Sequence, residues 1–171
     1  VGSQQALAQF KFSTAAANNT KSGVNKWTLS GVIFNVNATN VLLGSTFSIY
    51  NKLSPTTKAT CHASNTTMSG SSLSVDCRGL LASSINTEID PGSDATFVLE
   101  GDVTNAKLDN GSTSTLQVFV KNFNDPLATT MTTSTSSLVW VDKENATLAA
   151  NNVFKWLDYP ETTFKGTTYN N

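Results

Sequence analysis

The sequence predicts an all-β chain, folded as an antiparallel two-sheet sandwich of about 8–10 short strands. Three observations carry that prediction. Short segments alternate apolar and polar residues with period 2, as half-buried strands do. Turn signals recur roughly every ten residues. No stretch shows the 3.6-residue apolar periodicity of an amphipathic helix.

The elements follow in chain order. Val1–Gln5 is a polar leader. Ala6–Phe12 alternates, with Ala8, Phe10 and Phe12 on one face and Gln9 and Lys11 on the other. A loop of small and polar residues, Ala15–Asn25, comes next. Residues 1–14 therefore form a terminal strand, able to pair at home or to reach a neighbouring subunit. Residues 15–171 form one sandwich domain.

Trp27–Val36 is a longer strand. Trp27 and Leu29 point one way and Val32, Phe34 and Val36 the other, so a bulge near Ser30-Gly31 is expected. A turn over Asn37–Asn40 leads to Val41–Leu43, and the strand continues through Thr46–Tyr50 with Phe47 and Ile49 on one face. After a turn at Asn51–Pro55, Thr57–Ala63 and Ser71–Cys77 form a hairpin around Thr66–Gly70.

The clearest stretch runs from Ile85 to Ala106. In Asp90-Pro91-Gly92-Ser93-Asp94, Pro91 presets φ for the first corner and Gly92 accepts a positive φ at the second. Ala95, Phe97 and Leu99 then share one face, while Thr96, Val98 and Glu100 share the other. Gly101-Asp102 and Asn105 are read as closing this strand. Asp109-Asn110-Gly111 is a tight-turn signal, followed by a strand at Thr115–Val120. Asn124-Asp125-Pro126 breaks the pattern, and Ala128–Ser137 is a low-complexity connection. Short strands at Leu138–Asp142 and Asn152–Tyr159 complete the chain, with Pro160 ending the last.

Composition narrows the setting. Thr, Ser and Asn number 25, 20 and 18 of 171 residues, while only 13% are charged and the net charge is −1. A neutral, Thr-rich surface suits exposed strands. It leaves no electrostatic footprint for nucleic acid or an anionic membrane. No apolar run approaches the ~20 residues needed to span a bilayer. Val1 is followed at once by polar residues, so no signal peptide is read, and an exported chain is expected as a mature form or an excised piece. Cys61 and Cys77 lie in strand-like surroundings and are expected to bridge neighbouring strands, which points to an oxidising compartment.

Catalytic grammar is sparse. His62 is the sole histidine, and hydrolytic triads and most zinc sites draw on imidazole. The acids cluster at turns, where their own backbone hydrogen bonding accounts for them. Asp90 and Asp94 offer oxygens to a calcium ion, but without EF-hand spacing. No phosphate-cradling glycine loop is present, and neither a cofactor nor a metal is expected. Asn-x-Ser/Thr acceptors occur at Asn18, Asn37, Asn65, Asn110 and Asn145, about the number chance allows, with Asn65 and Asn110 at predicted turns the most accessible for glycosylation. Trp27, Trp140, Trp156 and Tyr159 are either core residues or a sugar-stacking platform.

One resemblance runs across most of the chain. The FKF strand, the Trp-Thr-Leu strand, IDPGSDATFVLEGDV, TLQVFV, SSLVWVDKEN and NVFKWLDYP together resemble immunoglobulin-like modules of bacterial cell-surface and S-layer-type proteins. The matching residues are Pro91-Gly92, Phe97–Asp102, Trp140 and Asp142, then Trp156 and Tyr159. The resemblance implies a Greek-key immunoglobulin-like sandwich and a non-enzymatic extracellular role, and it transfers no active-site residue. The expected function is a structural subunit that polymerises with copies of itself. In that scheme Ala8, Phe10 and Phe12 of the first strand fill a groove on the next subunit. The alternative is an adhesion or carbohydrate-binding module contacting surface polysaccharide.

Overall fold

The computed structural model describes residues 4–15, 26–64, 71–105, 111–121, 137–142, 153–155 and 167–170. They form β1 (Gln4–Ser13), β2 (Trp27–Thr39), β3 (Leu42–Asn51), β4 (Lys58–Ala63), β5 (Ser71–Arg78), β6 (Glu88–Ile89), β7 (Asp94–Asn105), β8 (Thr115–Val120), β9 (Leu138–Asp142), β10 (Val153–Lys155) and β11 (Thr167–Asn170). One 3-10 turn, Leu80–Ala82, accompanies them among the described residues.

β2 is the spine. Its 13 residues pair along one edge with β5 and β6 and along the other with β8 and β9. β5 ends opposite Gly31 and β6 resumes opposite Thr28. On the other edge β8 ends opposite Phe34 and β9 resumes opposite Val32. Each pair is thus one strand position interrupted by an insertion, and sequence alternation alone does not reveal that collinearity. The first insertion adds Leu80 and Ile85 to the core.

Every pairing is antiparallel, in the order β1-β7-β3-β4-β5-β2-β8-β11. The hydrogen bonding is continuous, so the strands form one sheet that curls almost closed, where two separate sheets were expected. The corner is the β4–β5 junction, where His62 pairs with Asp76 and Ala63 with Val75, and the Ser64 N–H donates to the Ser74 carbonyl at 2.9 Å. Across the interior, Phe10 of β1 packs on Phe34 of β2 with ring centroids 4.8 Å apart. The core between them is one cluster, with Phe34, Phe47, Phe97 and Leu99 at its centre.

Three local readings change in physical terms. Gly101-Asp102 does not end β7, which runs on to Asn105. Gly101 marks a close approach, since a β-carbon there would stand 2.7 Å from Phe47 Cε1. Asn37–Thr39 continue β2, and the turn narrows to Asn40, whose φ of 55° lies in the left-handed region that asparagine tolerates. Gln4 and Gln5 belong to β1. The bulge near Ser30-Gly31 is present, as a register shift between Leu29 and Gly31 that turns Leu29 and Val32 into the same core. Gly31 also admits Arg78, whose Cγ would lie 2.7 Å from an added β-carbon.

Candidate functional site: the first-strand groove and the sheet mouth

β1 lies at the sheet edge against β7 of its own chain, with Phe10 opposite Phe97 and Phe12 opposite Ala95. Ala8 is buried. Phe10 and Phe12 are partly buried against the core, and Phe12 meets Phe97 and Trp140 edge-on at 5.9 and 5.3 Å. These three residues therefore share the inward face that alternation assigns them. Leu7 joins them, which alternation does not foresee, through a register shift between Ala6 and Ala8. The only sequence signal for it is a leucine on a face otherwise held by Gln5 and Gln9.

The end of β1 is clamped by the predicted turn. Ser93 N–H donates to the Asp90 carbonyl at 3.0 Å, and Gly92 has φ 73°. Thr14 N–H donates to the Ser93 carbonyl, Gly92 N–H donates to the Ala15 carbonyl, and the Thr14 hydroxyl donates to the Asp90 carbonyl at 2.6 Å. The Asp90 and Asp94 carboxylates do not converge on one point. Asp90 pairs with Lys26 at 2.9 Å and Asp94 with Lys11 at 2.8 Å. No group of three or more His, Cys, Asp or Glu among the described residues is placed to hold a metal ion.

On the outer face, Glu100 is only 5% exposed, a costly position for a carboxylate without partners. The Lys58 ammonium donates to its Oε1, and the Ser48 hydroxyl lies 2.7 Å from the same oxygen and 3.0 Å from Gln4 Oε1. The Lys58 ammonium also sits 5.3 Å from the centre of the Tyr50 ring. Lys52 donates to Gln9 Oε1 at 2.9 Å. Through Gln4 and Gln9, β1 is tied across the width of β7 to Ser48 of β3 and to Lys52 just past its end.

At the mouth of the curled sheet, Ser13, Thr14 and Ala15 face Trp27 and Trp140 around an open cavity of about 410 Å³. That volume falls within the ordinary range of small-molecule pockets. Both tryptophans are partly buried. Of the four predicted platform aromatics, Trp27 and Trp140 come together here. Trp156 and Tyr159 lie outside the described residues, as do Asn65 and Asn110. Asn37 sits inside β2 with strands on both sides, a poor place for a bulky sugar.

Cys61 and Cys77 are bonded, with Cα atoms 4.4 Å apart, and both sulfurs belong to the buried core. Beside them on the outer face, Asp76 is the register partner of His62. Burial alone would raise the Asp76 pKa. Hydrogen bonds and charge from Arg78, with a smaller contribution from His62, outweigh that and hold it below the ordinary aspartate value. Arg78 rises in turn, chiefly through its hydrogen bond to Asp76.

The chain matches no protein-family model, and no curated protein and no solved structure matches it significantly. No helix among the described residues is long and apolar enough to cross a membrane.

Proposed function

We propose that this chain is a non-catalytic extracellular structural subunit that assembles with copies of itself into a surface filament or layer. In architecture we place it with immunoglobulin-like Greek-key modules of bacterial cell-surface proteins, two layers joined at the β4–β5 corner. One observation carries the assembly reading. The first strand lies at the sheet edge, yet it supplies Leu7, Ala8, Phe10 and Phe12 to the core. Residues 14–26 connect it to β2, and 13 residues reach up to about 45 Å when extended. A neighbouring copy can therefore donate the same strand and make the same contacts in trans, which is a low-cost route to association. Run head to tail without closing into a ring, such an exchange grows a filament. The Cys61–Cys77 bridge fits an oxidising, extracellular setting.

Particle size is the test, measured in solution and by negative-stain microscopy for the full chain and for a chain lacking Val1–Phe12. Large assemblies from the full chain and small soluble species from the truncation are expected. A monomer in both would overturn the polymer.

A second reading, an adhesion or carbohydrate-binding module, is favoured by the juxtaposition of Trp27 and Trp140 at the mouth cavity. Indole faces stack on the apolar faces of sugars, and Ser13 and Thr14 line the same space. Quenching of tryptophan fluorescence by surface polysaccharides, lost in Trp140→Ala, would support it. An unchanged spectrum across a polysaccharide panel would sink it.

A further inference from the structure

Strict alternation would place Leu7 on the outer face of β1. The chain turns it inward instead. Ala6 stands opposite Glu100 and Ala8 opposite Leu99, which leaves Leu7 between them without a partner on β7. Leu7 and Ala8 are each 2% exposed. The room comes from Gly101, where a β-carbon would lie 2.8 Å from Leu7 Cδ1 and 2.7 Å from Phe47 Cε1. Leu7 is thus a knob seated over the bare backbone of β7 and walled by the Phe47 ring.

We infer that this knob and hole fix the frame in which β7 accepts a first strand, and that the partner the groove fits is the Gln4–Ser13 segment of a second copy. The chemistry allows one frame. A slide of two residues keeps the pleat but brings Gln5 or Gln9 to the hole, burying an amide without a partner. The same slide puts Ala6 or Phe10 into the slot of Ala8, and Phe10 there is overpacked. A slide of one residue sends Phe10 and Phe12 to the outer face. Frame selection by Leu7 stands on the contacts within one chain. Its use between copies rests on the strand exchange proposed above.

Cysteine pairing tests both parts on the full chain. Lys11 is the register partner of Thr96, and Gln9, Lys11 and Ser13 are all exposed. One copy carries T96C and the other carries Q9C, K11C or S13C; the two are unfolded in denaturant, refolded together and oxidised. Unfolding is carried out at acidic pH, where the new thiols stay protonated and do not attack the native Cys61–Cys77 bridge. Once the copies have refolded, that bridge is buried and stays out of the oxidation.

Cross-linking between copies is expected for K11C at least about tenfold above Q9C and S13C, and Leu7→Ala should erase most of that preference. Phe12→Ala, which removes a core contact away from the hole, should keep it. Should Leu7→Ala fail to fold, Leu7→Val carries the same comparison. Equal selectivity with and without the leucine side chain would overturn the inference. So would a loss of selectivity in Phe12→Ala as large as in Leu7→Ala. The same cysteine pairs placed within one chain separate the two ideas. If they close with a Leu7-dependent preference while no cross-link forms between copies, frame selection stands, and both the second-copy partner and the assembly reading fall.

Discussion

Glu100 and Asp76 show how little charge this chain buries and how closely it is accounted for. Glu100 is 5% exposed and holds the Lys58 ammonium and the Ser48 hydroxyl. Lys58→Ala is expected to cost about 1–3 kcal/mol in urea denaturation, because the carboxylate keeps its burial and loses its charged donor. Glu100→Gln in that background should recover part of the loss, and no recovery would mean that Lys58 acts through its packing on Tyr50. Asp76 gives the pH dependence. Its folded pKa lies below the unfolded value, so its contribution is complete above the unfolded pKa, near 3.9. That contribution is lost as the pH falls through the folded value. Arg78→Ala should move the Asp76 titration upward in NMR and narrow the stability lost on acidification. An unmoved titration would deny Arg78 its role.

At the scale of elements, the turn before β7 organises the end of β1. Gly92 has φ 73°, a conformation that a β-carbon disfavours, and its amide also holds the Ala15 carbonyl. Gly92→Ala should cost about 1 kcal/mol. Amide exchange should accelerate at Thr14 and Ser93 first, and a uniform acceleration would show that the turn has no special hold on β1. This turn was legible in the sequence because its chemistry is local, with proline and glycine each setting one dihedral. The inward faces of β1 and β2 were legible for the same reason, down to the bulge at Gly31. Gly101 was misread as a terminator because its meaning lies elsewhere, in the Phe47 ring and the Leu7 side chain above it. Leu7 itself is inward only because β1 and β7 step out of register there, which no alternation within β1 can encode. Of the candidate site, Ala8, Phe10 and Phe12 were foreseen on the inward face, whereas the hole that seats Leu7 was not. The meeting of Trp27 with Trp140 needed the β2–β9 pairing.

For the whole molecule, the decisive feature is where the sheet turns its corner. Strand count and turn spacing foretell an antiparallel β fold, and the hairpin around Thr66–Gly70 foretells the β4–β5 pairing, but that this pairing joins the two halves of the sheet appears only in three dimensions. That junction is thin, with two register pairs and the Ser64–Ser74 backbone bond next to the Cys61–Cys77 bond. The disulfide therefore fastens the β1-β7-β3-β4 half to the half built on β2. With a sequence separation of 16, the bond is worth roughly 3 kcal/mol in the chain-entropy picture. A Cys61→Ser, Cys77→Ser double variant should melt about 6–12 °C lower. Placement makes a sharper prediction than magnitude does. If the bond is the fastener of the corner, amide exchange in the variant should rise most in β4 and β5, while the β2–β8 and β1–β7 ladders keep their protection until global unfolding. Equal loss of protection everywhere would mean that the bond acts on the unfolded chain alone. The corner would then be held by the packing of Ala59, Leu73 and Val75 beneath it.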